Sequence, residues 1–178
     1  MYRILNDTQP KNILELGLGQ SSKMLNQYVD YFEDSRCTSI DHNKEWVEFF
    51  QQVYTLSNRT HIKFLELENT DYKSQKVSVY KGFKQIHENE NYDLIVVDGP
   101  YQGKQFSRID ILGLLDTHLS ASFAILFDDA NSVGVRNTIA DVEVMLKTIG
   151  REYRKQTYFS LKDVVILCSV DKVFLTTL

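Results

Sequence analysis

Acidic residues in this 178-residue chain fall repeatedly at the ends of apolar runs. Asp41 closes Cys37–Ile40, Asp98 closes the run Asp93–Val97, Asp128 and Asp129 close Phe123–Phe127, and Glu66 and Glu68 flank the end of His61–Leu67, which alternates as a strand. Short apolar runs of this kind read as buried strands. In an open parallel sheet the carboxyl ends of the strands line one crevice, so these acids should share it. Asp41 stands at the spacing where an acid can hold the two hydroxyls of a ribose, with capping of a helix starting near Asn43 as the competing use. His42 and Trp46 are placed to flank a purine ring. Glu66 and Glu68 are the weaker acids, free to point to solvent.

The crevice needs a floor, and residues 11–22, Lys-Asn-Ile-Leu-Glu-Leu-Gly-Leu-Gly-Gln-Ser-Ser, supply one. Ile13, Leu14 and Leu16 form a strand, Gly17 and Gly19 a tight turn, and an amphipathic segment from Met24 to Phe32 follows. Gly17 and Gly19 carry no Cβ to keep a ligand off the backbone, and Ser21 or Ser22 can cap the helix. Gln20 completes the loop. A dinucleotide fingerprint asks for a third glycine where Ser22 stands, so that a pyrophosphate can sit on the helix start. Instead, Glu15 lies two residues before Gly17. A carboxylate there repels a pyrophosphate and suits the ammonium and sulfonium of S-adenosylmethionine.

The remaining chain alternates strand and helix signals. Helical spacing runs through Asn43–Leu56, Phe106–Leu119 and Val135–Ile149, and strands through Cys37–Ile40, His61–Leu67, Asp93–Val97 and Phe123–Phe127. Tyr153–Leu161 and Val164–Val170, around Lys162-Asp163, read as a hairpin and hence as antiparallel strands. The expected fold class is α/β: a doubly wound, mostly parallel Rossmann-like sheet with helices on both faces and a C-terminal antiparallel hairpin. Glu68–Asn91 is polar and irregular; a helix with a long loop or a small strand insertion would fit it, and a surface connection fits better. Residues 1–178 read as a single domain. A formal charge of −4 gives no footprint for nucleic acid, and the apolar runs are too short to span a membrane. Cys37 and Cys168, inside apolar runs, read as buried thiols of a cytoplasmic protein.

In order along the chain, the segments Glu15-Leu-Gly17-Leu-Gly19, Asp41-His42-Asn-Lys-Glu-Trp46, Asp98-Gly99-Pro100, Arg108 with the helix after it, Phe123 to Ala130 and Gly134-Val-Arg-Asn137 resemble the motifs of class I S-adenosylmethionine-dependent methyltransferases. The likeness is to small O-methyltransferases of the catechol type and to the sugar and natural-product branches, and it runs from about Lys11 to Ile149. It implies S-adenosylmethionine held by Glu15, Gly17, Gly19, Gln20, Ser21, Ser22, Asp41, His42, Trp46, Glu66, Asp98 and Gly99, with a small-molecule or sugar hydroxyl as acceptor. It implies Asp98 and Asp128 as the catalytic acids, and, in metal-dependent members, Mg2+ on Asp98, Asp128 and Asp129. Asp129 stands where the catechol enzymes carry an amide, and no lysine stands in an obvious base position. Without a metal, Asp98 would bind cofactor or act as base. With little chain ahead of the first strand, a homodimer is one way to cover the crevice. The alternatives are an NAD-dependent oxidoreductase and a cofactor-binding module without catalysis.

Overall fold

The computed structural model describes residues 1–87, 90–101 and 103–177. Glu88 and Asn89 of the irregular segment, and Gln102 after Asp98-Gly99-Pro100-Tyr101, lie outside the described residues. The elements in chain order are α1 (Tyr2–Thr8), β1 (Asn12–Leu16), α2 (Gln20–Tyr31), β2 (Arg36–Asp41), α3 (Lys44–Val53), β3 (Thr60–Phe64), β4 (Leu67–Tyr72), β5 (Gln75–Tyr80), β6 (Tyr92–Val97), β7 (Leu119–Phe127), α4 (Val133–Thr148), β8 (Tyr153–Tyr158) and β9 (Val164–Ser169).

Seven strands form one sheet in the order β3-β2-β1-β6-β7-β9-β8. β3, β2, β1, β6 and β7 run parallel, while β9 pairs antiparallel with β7 and β8 antiparallel with β9. The expected sheet with a reversed C-terminal pair is therefore the observed one. Its central strands are apolar throughout because both faces are covered: Leu94 to Val97 of β6 are all buried.

One face carries helices. Leu25, Tyr28 and Val29 of α2 pack with Ile4 and Leu5 of α1 over Ile13, Cys37 and Val96. α3 starts where the Asn43 side chain accepts the Trp46 amide, and buries Val47 and Phe50. Both cysteines are free and buried, as expected.

The other face departs from expectation. Val135, Ile139, Val142 and Leu146 of α4 cover part of it, but Phe106–Leu119 forms no α-helix. Only Ile109–Gly113 winds there, as a 3-10 turn. Buried Asp110 anchors it by accepting the Tyr80 amide at 2.9 Å, and Arg108 before it takes a left-handed φ of 61°. The Glu68–Asn91 segment is likewise more than a surface connection. β4 and β5 make a hairpin registered from Leu67↔Tyr80 to Tyr72↔Gln75, and Val77, Tyr80, Phe83 and His87 are buried. The hairpin tip is pinned to α4, where Asp141 accepts from the Tyr72 hydroxyl and pairs with Lys73. A 3-10 stretch, Val170–Thr177, follows β9, where no further helix was expected. Among the described residues no helix is long and apolar enough to cross a membrane.

Candidate active site at the carboxyl rim

Backbone hydrogen bonds lace four strand ends together. The Gly17 amide donates to Ile40 O (2.8 Å), the Asp98 amide to Leu16 O (2.7 Å) and the Asp128 amide to Val97 O (3.2 Å). The turns after β1 and β6 touch directly. Gly17 holds a φ of +99°, and a Cβ on it would lie 2.8 Å from Gly99 N. Gly17 is thus required by backbone contact. Gly19 differs: its φ of −162° suits any residue, and a Cβ there would meet nothing within 4 Å.

Asp41 sits at the end of β2, mostly buried, with Oδ2 accepting the Leu18 amide and Oδ1 the Asn43 amide, both at 2.8 Å. It ties the glycine turn to β2, and the capping of α3 falls to Asn43 instead. Trp46 Nε1 donates to Leu18 O at 2.8 Å, placing the indole beside the same turn. His42 Nδ1 lies 3.6 Å from Asp41 Oδ1.

Glu15 is not presented to the crevice. It is fully buried, and its carboxylate accepts from the hydroxyls of Ser21 (2.6 Å), Ser22 (2.6 Å) and Ser39 (2.7 Å). Ser22 in turn accepts the Gly19 amide at 2.8 Å. Burial pushes the Glu15 carboxyl up to about 7 against the pull of these hydroxyls, and nearby Asp98 pushes the same way. The carboxylate expected to face a cofactor's cations holds the loop from below. Gln20, exposed, begins α2. Glu66 points to solvent, 3.6 Å from Lys81 Nζ.

Asp98, Asp128 and Asp129 do converge: one carboxylate oxygen of each lies within 4.8 Å of the others. Arg108 lies under them with its side chain 1% exposed. Its guanidinium donates to Val97 O (3.0 Å), to Asp128 O (2.6 Å) and to Asp98 Oδ1 (3.1 Å), and Nη2 is 3.6 Å from Asp129 Oδ2. Lys162, from the β8–β9 turn, reaches Asp129 Oδ2 at 3.1 Å. Burial raises the Asp98 carboxyl to about 6; Arg108 pulls it down, and Asp128 and Asp129 push it up. The Lys162 ammonium is held up by its bond to Asp129.

Sequence reasoning did not find the roles of Ser39, Tyr80 and Lys162, or the clamp made by Arg108. Tyr80 brings its hydroxyl to Ile40 O (3.3 Å), beside Gly99. A signal existed for Arg108: with Asp110 it is one of two charges in the otherwise apolar stretch Arg108–Leu115, and charges so placed are rarely buried unpaired.

No family model and no curated protein matches the sequence. Solved structures do match in shape. The O-methyltransferase TomG from Streptomyces achromogenes, involved in tomaymycin synthesis and solved with S-adenosylmethionine, aligns with a TM-score of 0.63 at 11% identity, over 94% of this chain and 77% of that one. A methyltransferase from Geobacter sulfurreducens gives 0.60 at 14% identity, over 94% and 75%. The plantazolicin methyltransferase BpumL, solved with S-adenosylhomocysteine, gives 0.53 at 15% identity, over 94% and 79%. The strand order, the reversed C-terminal pair and these alignments agree: the chain has the class I S-adenosylmethionine-dependent methyltransferase fold.

Proposed function

We propose that the protein is an S-adenosylmethionine-dependent methyltransferase acting on a hydroxyl oxygen of a small molecule or sugar. The observation that carries this is the Gly17–Gly19 turn, locked to Gly99 on one side and to Asp41 on the other, with space above Gly19. In this reading the cofactor lies over Gly19 and Gly99, its ribose toward Asp41 and its adenine between His42 and Trp46. Gln20, Ser21 and Ser22 shape the loop, and Glu15 acts through their hydroxyls. S-adenosylmethionine supplies an electrophilic methyl group. The chain's own task is to bring the acceptor oxygen in line with it and to take a proton.

Asp98 is the proton acceptor, through Oδ2, because Arg108 holds Oδ1. A carboxyl raised to about 6 is a better base near neutral pH than an ordinary aspartate. Asp128 and Asp129 flank it. Phe159 (83% exposed) and Leu161 (98% exposed) stand on the turn that meets Asp129, an apolar edge suited to an acceptor with a hydrocarbon part.

Mg2+ is chemically attractive for three converging carboxylates. Here two of the three already face a cation of the chain: Asp98 faces Arg108, and Asp129 faces both Arg108 and Lys162. A divalent ion on these oxygens would stand beside a guanidinium that cannot lose its proton. The residues present do not fit a resident Mg2+, and no step is routed through one.

Side-by-side calorimetric titrations with S-adenosylhomocysteine and with NAD test the proposal. Saturable binding of S-adenosylhomocysteine alone is expected. Tight NAD binding without an S-adenosylhomocysteine signal would overturn it.

A further inference from the structure

A buried guanidinium is expensive. Lifted from water it must be paired, and every donor left over adds to the cost. Arg108 is nevertheless placed deliberately by its surroundings. The preceding residue, Ser107, is buried, and the Thr138 hydroxyl of α4 donates to its carbonyl at 2.7 Å. Gly134 makes room for this contact: a Cβ on Gly134 would lie 2.9 Å from Ser107 Oγ. Arg108 itself is held at φ 61°, a region non-glycine residues occupy only at a cost. A pinned, strained backbone thus turns one charged side chain inward, under the meeting point of β6 and β7.

The guanidinium then does two jobs. It bridges the carbonyls of Val97 and Asp128, fixing the spacing of the two strand ends that carry the acids. It also brings one positive charge to Asp98 and Asp129 together. Orienting the acids and compensating their mutual repulsion are what a divalent ion does in a site built from such residues.

We infer that Arg108 is the resident cation of this rim, a positioning residue that stands in place of a divalent metal, so that Asp98 works without one. Lys162 assists from the solvent side through Asp129. The inference rests on the methyltransferase reading only for Asp98's role as base; exclusion of the metal is a property of the acids and Arg108 alone.

That separation allows a test without turnover. Mn2+ is titrated into the S-adenosylhomocysteine-treated protein, and free Mn2+ is followed by electron paramagnetic resonance. The wild type is expected to show no saturable site at up to millimolar Mn2+. Arg108→Met should create one, tighter by at least about tenfold, since a like charge has been removed from beside the ion. Asp129→Asn added to that variant should abolish it. Arg108→Lys, which keeps the charge, should exclude Mn2+ as the wild type does, a result that a merely structural arginine would not give. A saturable wild-type site that disappears in Asp98→Asn would overturn the inference, and the wild-type titration decides this even if Arg108→Met fails to fold. Calorimetry with S-adenosylhomocysteine on the same samples keeps failure of the methyltransferase reading separate: loss of cofactor binding would sink that reading and leave the Mn2+ result standing.

Discussion

Two acidic centres lie close enough in this molecule to feel each other electrostatically, and they are neutralised by opposite means. Glu15 is surrounded by the hydroxyls of Ser21, Ser22 and Ser39 and is shut off from water. Asp98, Asp128 and Asp129 are only partly buried, and two of them, Asp98 and Asp129, face the charges of Arg108 and Lys162. Neutral donors can hold a buried carboxylate in place, but burial leaves it no access to a ligand. Charge pairing at a half-open rim leaves oxygens available. The first arrangement makes a scaffold, and the second keeps carboxylate oxygens at a surface where a ligand could reach them. From sequence alone, both were acids beside strand ends.

The sharpest way to separate the two centres is to remove the proposed base, Asp98. Asp98→Asn should lower methyl transfer to a hydroxyl acceptor by about 10²–10⁴-fold, the usual worth of a general base. S-adenosylhomocysteine affinity by calorimetry should hardly change. Undiminished turnover in this variant would take Asp98 out of the chemistry.

The two glycines extend the contrast between scaffold and surface. Gly17→Ala puts a methyl group 2.8 Å from Gly99 N at a φ of +99°, and should cost about 2–4 kcal/mol in urea unfolding. Gly19→Val should leave stability nearly unchanged and eliminate S-adenosylhomocysteine binding. Equal stability losses in the two would erase the distinction drawn between them.

Glu15 should reveal itself through pH. Its folded-state value of about 7 lies above its ordinary 4.5, so the native protein binds the proton more tightly than the unfolded chain. Stability from this group is complete below about pH 4.5 and is lost as the pH rises through about 7. Glu15→Gln should remove that slope. Its cost, about 1–3 kcal/mol from disrupted hydroxyl bonds, should be larger at pH 5 than at pH 8. Denaturation curves with the same pH dependence in both proteins would contradict this.

The smallest effect is expected at Lys162. Its pair with Asp129 is largely solvent-exposed on the lysine side, so Lys162→Ala should change stability by no more than about 0.5 kcal/mol. A loss above 2 kcal/mol would mean the rim depends on it as heavily as on Arg108, contrary to the exposed pair described here.

The parallel strands β1, β2, β6 and β7 were legible because each is a short run closed by an acid or a glycine, a pattern set by burial, and edge strand β3 was legible from its alternation. The reversed pair was legible from two strand signals around Lys162-Asp163. The second face was not. In Phe106–Leu119, the apolar residues Ile109, Ile111, Leu112, Leu114 and Leu115 suggest a helix, but inward-turned Arg108 and Asp110 make tertiary bonds that a helix would break. The β4–β5 hairpin hid because most of its residues are polar and its turn uses Lys73 and Ser74 at positive φ, where glycine or asparagine is the usual marker. At the site, the convergence of Asp98, Asp128 and Asp129 was foreseen. The clamp by Arg108 was not, since two of its partners are carbonyls on other strands, invisible to any local pattern.

The backbone contact between Gly17 and Gly99 has a consequence for how ligands would communicate. The loop proposed to lie under the cofactor and the loop carrying Asp98 are in contact with no side chain between them. In the proposed reading, a nucleoside settling on the first loop would bias the position of Asp98 on the second. Linkage then requires an acceptor at Asp98 to change cofactor affinity by the same factor. Two sites that abut through bare backbone would in this way share one allosteric free energy.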